Sequence, residues 1–364
     1  MKRGIRLFVG ALCLSAATAF AQQSPAAPVA APAAGGPQSA SIFDVAKDQV
    51  ERQKTQPLNN APVWREVNSG KEFYTSVQGP ETGVLIQKGG QQWRMLRTSL
   101  YTAGGAVIAA MLVILMSFYL WRGSIALHER PTGRFIQRFS TPERIAHWSM
   151  GISFVVLGLT GLVLTFGKYV LLPVIGYTLF GWLASVAKNL HNFIAPVFIV
   201  ALPMFIVLFV RDNLPRAHDV AWLAKFGGML DKSGGHVPSG RFNAGEKGLF
   251  WMLVCVLSLV LIASGVFLLF PNFEQTRSTM QLANVVHMIA AMLGIAMACG
   301  HVYLGTIGMR GAFEAMRYGY VDETWAKEHH ELWYEDVKAG RARQGFADPQ
   351  AEVPAPVRAA VQGH

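Results

Sequence analysis

Charge is scarce in this 364-residue chain, and it is kept out of the longest apolar stretches. Only 15% of the residues are Asp, Glu, Lys or Arg, against 52% hydrophobic, a balance that fits a membrane protein better than a soluble globule. Cysteine is nearly absent. Of three cysteines, Cys13 lies in the amino-terminal apolar run, and Cys255 and Cys299 lie inside later ones, which excludes a disulfide framework. No C-x-x-C-H occurs, so covalent c-type haem attachment is not indicated. The formal net charge is +10, yet the basic residues border apolar runs instead of forming a basic domain. Membrane topology accounts for them, and no nucleic-acid partner is expected.

The apolar residues that are present come in blocks. Residues 1–21 read as a signal peptide: Lys2, Arg3 and Arg6 lead, an apolar run extends from Leu7 to Phe20, and Ala19-Phe20-Ala21 supplies the small-x-small pattern. Residues 22–40 are an Ala/Pro-rich linker with nothing to pack. Residues 41–97 are expected to be an exported segment, with ETGVLIQKGG as a short strand between turns and too little apolar material for a core of its own. Five runs then reach the length of about 20 apolar residues that a bilayer core demands: 98–121, 145–166, 190–210, 248–270 and 281–305. The half-apolar stretch 169–187, broken by Pro173 and Gly176, reads as an interfacial helix. Arginine and lysine crowd the 122–144 and 211–247 connections and are few in 167–189 and 271–280, which puts the first two connections in the cytoplasm. The expected fold is therefore all-α: a four-helix transmembrane bundle over 138–337, one additional amino-terminal transmembrane helix at 98–121, and a cytoplasmic tail at 338–364.

None of the five spans carries Lys, Arg, Asp or Glu in its interior, but the last four carry His147, His191, His287 and His301. An ionisable side chain at membrane depth is costly and marks function by default. His287 and His301 stand fourteen residues apart, just under four helical turns, so they share a face and are separated by about 21 Å along the axis. His191 should lie level with His287, and His147 level with His301. Two pairs of neutral imidazoles facing each other across a bundle are what axial ligation of haem iron requires. Gly151, Gly158, Gly161, Ala290, Ala291, Gly294 and Gly300 would leave room for a flat macrocycle or, individually, allow close helix packing. A non-haem metal site would bring Cys, Asp or Glu into the cluster. The remaining histidines, His128, His218, His236, His329, His330 and His364, fall in loops or the tail and read as solvent-exposed.

The stretches RFSTPERIAHWSMG around His147, HNFIAPVF at His191, RFNAGEKGLFW from Arg241, the His287/His301 pair and TWAKEHHELWY from Thr324 resemble the gamma subunit of respiratory formate dehydrogenases, a cytochrome b556-type membrane anchor. The resemblance covers roughly residues 138–337. It implies two b haems, ligated by His191 with His287 on the outer side and by His147 with His301 on the inner side. It implies as partners an iron-sulfur beta subunit and a molybdenum- or tungsten-containing alpha subunit; this chain itself has no cysteine or selenocysteine site suited to such a metal. It also implies a bacterial inner-membrane location among lipid, with the mature amino terminus periplasmic and the carboxyl terminus cytoplasmic. Asn243 and Glu246 have the spacing of a capping box. By resemblance, Asn243 and the backbone of Gly245 hydrogen-bond a quinone, menaquinone or ubiquinone, beside His301. The expected role is electron transfer from a periplasmic iron-sulfur subunit to quinone, with no catalytic residue for formate chemistry in this chain. A dihaem subunit of a hydrogenase or thiosulfate reductase shares the histidine pattern and differs in its co-purifying subunits. A ferric-reductase-like cytochrome would work alone, and a histidine-bearing transporter would show no haem spectrum.

Overall fold

A computed structural model describes residues 88–230 and 237–348, with positions 50, 51, 54, 69, 353–355 and 358. The expected signal peptide and linker lie outside the described residues, as do most of the exported segment, its ETGVLIQ strand, His236 and His364. Two compact units divide the chain, residues 20–99 forming one of them. In that unit the described part is chiefly the start of α1 (Lys88–Arg122), where Arg97 lies over the Trp93 ring. The helix begins ten residues before the apolar run, so Lys88–Gly90 are its first turn and not the end of a hairpin.

In the other unit the remaining long helices are α2 (Thr141–Val170), α3 (Leu172–Phe209), α4 (His218–Ala224, short), α5 (Ala244–Leu269) and α6 (Arg277–Tyr303). Five helices, α1, α2, α3, α5 and α6, are long and apolar enough to cross a membrane. The protein is thus an all-α, multi-pass membrane protein with four core spans and one added amino-terminal span. The stretch 169–187 is not a separate interfacial helix. Gly176, at φ 75 and ψ 172, kinks the chain near the start of α3, and from Tyr177 the helix continues through Gly181 and His191, so the segment runs on into the third span.

Phe250–Leu257 within α5 is π-helical, and α6 continues into a second π segment, Leu304–Gly308. A π turn inserts one residue and rotates everything beyond it. In α5 the strain on the ladder is relieved at Leu253, whose carbonyl accepts from both the backbone N–H of Ser258 and its hydroxyl, the latter at 2.8 Å.

One end of the bundle is closed by a polar-rimmed cap. Strand β1 (Phe135–Gln137) pairs antiparallel with β2 (Tyr320–Asp322) and with β3 (Phe346–Ala347), while α7 (Ala312–Tyr318), α8 (Glu323–His329) and α9 (Glu331–Lys338) cover them. Ile136, Ala315, Trp325, Ala326 and Trp333 form its core together with Phe205 and Phe209 of α3. The stretch after residue 338 is therefore not merely a tail, since Ala347 buries itself against Phe135 and Val353. Gly319 is required by this joint. Its φ is 94, its carbonyl accepts from the N–H groups of Arg138 and Phe139, and a Cβ there would stand 2.5 Å from the Phe139 oxygen.

Candidate functional site

Two buried arginines fasten the cap end of the bundle, and they do so reciprocally. The run Arg138-Phe139-Ser140-x-x-Glu143 opens α2, and Arg241-Phe242-Asn243-x-x-Glu246 opens α5. In each, the glutamate reaches back to the cap residue: Glu143 accepts from Ser140 N at 2.8 Å and Glu246 from Asn243 N at 2.8 Å, with Asn243 Oδ1 accepting from Glu246 N at 2.9 Å. These are capping boxes that satisfy orphan amides at the helix starts. Each arginine then pairs with the other motif. Arg241 donates to both oxygens of Glu143 at 2.9 Å, to Asp212 and to the carbonyl of Arg138. Arg138 donates to Glu246 at 3.2 Å and to the carbonyl of Arg241 at 3.0 Å. Both guanidinium groups lie over Phe139 and Phe242, an arrangement that suits a planar cation.

The histidines follow from this frame. His147 stands one turn after Glu143 on α2, and its ring meets that of His301 on α6 with centroids 6.0 Å apart. His191 on α3 meets His287 on α6 at 6.3 Å. The pairs lie at two levels, a near pair (His147/His301) by the arginine-rich end and a far pair (His191/His287). A metal bonded to both rings at about 2.0 Å per nitrogen separates the ring centres by roughly 6 Å once the ring radius is added. Among the described residues no three His, Cys, Asp or Glu side chains converge. Each pair could offer two opposed nitrogens to a metal whose remaining positions a macrocycle fills.

The surroundings fit such a group. His147 Nδ1 is buried without a hydrogen-bond partner, and a Cβ built on Gly151, one turn on from His147, or on Gly300, beside His301, meets nothing within 4 Å. That open space borders the near pair. The other glycines divide. Gly158 and Gly294 face Ile295, Leu253 and Phe154 and serve helix packing, whereas Gly161 faces the His191 ring at 3.6 Å.

Two hydroxyl neighbours of the histidines carry no signal of their own in the composition. Thr160 Oγ1 lies 2.9 Å from His191 Nδ1, and Ser264 Oγ lies 3.0 Å from His287 Nδ1. Each is followed by a glycine, Gly161 or Gly265, whose missing Cβ leaves space for the ring. The repeat of the two arginine motifs points to them. Ser264 stands one residue further from Arg241 than Thr160 does from Arg138, the offset that the π segment of α5 introduces. The two hairpins, α2 with α3 and α5 with α6, are thus built alike. Under the same correspondence Phe250 takes the place of His147 and Phe205 that of His301. Those two rings are buried and lie 6.3 Å apart.

The candidate quinone-binding residues lie at the start of α5. Asn243 Oδ1 is engaged in the cap, so the amide Nδ2 is the atom left to bind outward. A Cβ on Gly245 would stand 2.9 Å from the Trp222 ring, so that indole, from α4, walls this turn. Beside it, Lys247 donates to both oxygens of Asp219 at 2.9 and 2.8 Å. Burial alone would raise the Asp219 pKa, but Lys247 and the Arg216 N–H hold it below the ordinary carboxylate value.

His330 departs from expectation. It is 2% exposed, with Nδ1 donating to the Gly240 carbonyl at 2.8 Å, and burial, with Arg138 nearby, holds its pKa well below the usual imidazole value. Its place in the tail read as a surface position, but the segment packs inward, and Glu328 beside it accepts the backbone N–H groups of His128 and Glu129. His128 does remain exposed.

Residues 138–319 match the family described as prokaryotic cytochrome b561. Over 216 residues the chain is 31% identical to the formate dehydrogenase cytochrome b556(fdo) subunit of Escherichia coli K12, covering 56% of this chain and 93% of that protein. The nitrate-inducible cytochrome b556(Fdn) subunit of the same strain is 28% identical over 214 residues, 58% of this chain and 95% of the relative. The formate dehydrogenase cytochrome b556 subunit of Haemophilus influenzae Rd is 26% identical over 222 residues, 59% and 89%. A cytochrome b family implies haem b. Because the matched region spans both hairpins and all four intramembrane histidines, the chain belongs to the prokaryotic cytochrome b561 family, among the cytochrome b556 subunits of formate dehydrogenase.

Proposed function

We propose that this chain is the dihaem membrane anchor of a formate dehydrogenase, carrying electrons from a periplasmic iron-sulfur beta subunit across the bacterial inner membrane to quinone. The observation that carries the reading is the pair of opposed imidazole couples at 6.0 and 6.3 Å. His191 and His287 would hold one haem b and His147 and His301 the other. Bound haem supplies reversible one-electron storage at each level. The arginine clamp fixes the starts of α2 and α5 and so holds His147 in line with His301.

The arginine-rich connections at that end support a cytoplasmic position for the near pair. Glu246, at the start of α5, lies within the electrostatic reach of His301. Asn243 Nδ2 and the backbone of Gly245 would donate to a quinone carbonyl there, while Asn243 Oδ1 keeps the helix capped, so one side chain serves both roles. Protons taken up at this end come from the cytoplasm, and each electron crossing works against about 2.3 kcal/mol per 100 mV of membrane potential. A molybdenum or tungsten alpha subunit oxidises formate, and this chain contributes no catalytic residue to that step. The 138–337 region forms the dihaem domain, and the segment before residue 98 is exported.

The test is a pyridine haemochrome assay on the detergent-purified complex, expected to give two haems b per chain together with the beta and alpha subunits. A haem-free preparation that still passes electrons from formate to quinone would overturn the proposal.

A further inference from the structure

The far pair is held by a device that the near pair lacks. The Thr160 hydroxyl is 2.7 Å from the Val156 carbonyl and the Ser264 hydroxyl 2.6 Å from that of Val260, so each gives its single proton to its own helix one turn back. Each oxygen then presents a lone pair to the neighbouring imidazole, and the ring must be the donor: Nδ1–H of His191 to Thr160 Oγ1 and Nδ1–H of His287 to Ser264 Oγ, with the Leu157 and Leu261 carbonyls as further acceptors beside them. That sets the tautomer of both rings and leaves both Nε2 atoms available to iron. At the near pair, His147 Nδ1 is buried and unpartnered, and among the described residues the His301 ring makes no hydrogen bond.

We propose that Thr160 and Ser264 are positioning residues that make the far haem the harder of the two to reduce, so that electrons delivered at the far level descend to the near one. The inference rests on the dihaem reading above. An imidazole donating from Nδ1 to an oxygen that is itself polarised by donating to a carbonyl becomes the stronger electron donor at Nε2. A stronger axial donor stabilises oxidised iron over reduced iron and lowers the potential, hydrogen bonding around the ligands being one of the protein's levers. With hydroxyl partners on both rings, the far site receives this effect twice, and among the described residues no side chain supplies it at the near pair.

The nearby charges do not reverse the order. Glu246 would lower the potential of the near site, but it is ion-paired to Arg138 at 3.2 Å. Lys188, close to His191, is exposed and screened by solvent. Transfer moves one electron, oxidising the far iron and reducing the near one, while both Nδ1 protons stay on their rings.

The experiment is an anaerobic redox titration of the haem absorption bands in the purified complex. The wild type should give two midpoints, and His287→Ala should remove the lower one. Thr160→Val combined with Ser264→Ala should raise that lower midpoint by about 59 mV, a tenfold change in the one-electron equilibrium, and leave the other in place. Thr160→Ser and Ser264→Thr, which keep the hydroxyls, should behave as wild type. Loss of the higher midpoint in His287→Ala overturns the inference, and that comparison stands even if the double variant sheds haem. An unmoved lower midpoint in a double variant that retains two haems overturns it as well. Either result leaves the dihaem reading intact, whereas a preparation without haem defeats that reading itself.

Discussion

Replacing Arg241 by Met tests whether the reciprocal clamp is a coupled unit. The guanidinium is 7% exposed and binds both oxygens of Glu143, itself 7% exposed. Its removal would leave Glu143 buried with two remaining donors, Ser140 N and Ser140 Oγ at 2.8 and 3.0 Å. Asp212 would suffer less, because Arg343 still reaches it at 2.8 Å. Breaking one partner of a buried pair costs 3–5 kcal/mol as a rule, and the surviving donors put this case near the lower end, at about 3 kcal/mol. The assay is a double-mutant cycle of Arg241→Met and Glu143→Gln, read as unfolding in mixed detergent micelles. The double variant should lose less than the sum of the singles, with a coupling of about 1–3 kcal/mol. Arg343→Met, a control at an exposed side chain, should cost under about 1 kcal/mol. Because Glu143 sits one turn before His147, the near haem should be shed before the far one in Arg241→Met. Strict additivity, or loss of the far haem first, would refute the clamp.

Other outcomes follow from single positions. His191→Ala should reduce the haem count from two to one per chain, with two retained haems arguing against that ligand. Gly265→Ala would place a Cβ 3.3 Å from His287 Cε1, against 3.6 Å from His191 for Gly161→Ala, so the first should shift the far haem's spectrum and the second should leave it unchanged. Asn243→Asp keeps an acceptor for the cap but removes the Nδ2 donor; quinone reduction should weaken several-fold while thermal stability holds, and equal loss of both would mean that the residue only caps. His330 is held neutral, so below its unperturbed value of 6.5 the unfolded chain carries the extra proton. Stability should therefore fall as pH drops through that value towards the lower folded one. His330→Asn, which retains a donor to the Gly240 carbonyl, should flatten the decline.

Much of this architecture was legible in the sequence because hydrocarbon thickness imposes its own ruler. Spans betray themselves by length and by the exclusion of charge, and four histidines breaking that exclusion stand out at once. The cap of α5 was equally plain from Asn243 and Glu246. Thr160 and Ser264 were not, since a hydroxyl in a membrane helix ordinarily satisfies itself on its own backbone and leaves no trace in hydrophobic patterning. The π segment was hidden for a related reason: its extra residue changes register without changing composition, and beyond the two arginine motifs it shifts the likeness of the two helices by a single position. His330 was misread because its place in the tail says nothing of the Gly240 carbonyl that accepts its hydrogen bond. The 169–187 stretch was misread because its proline and glycine both fall at the start of α3, where they shape the entry and do not end the helix.

Phe205 and Phe250 give the doubled plan a directional consequence. Two matched hairpins meeting at a shared imidazole couple describe a fork, with one stem and two equivalent branches. On one branch the chain sets two imidazoles; on the other it sets two benzyl rings, which bind no metal and fill the gap with hydrocarbon. The bundle is forked in its carpentry; under the proposed dihaem role it is single-tracked in its chemistry, so a charge arriving at the stem would have one exit and no blind alley in which to linger.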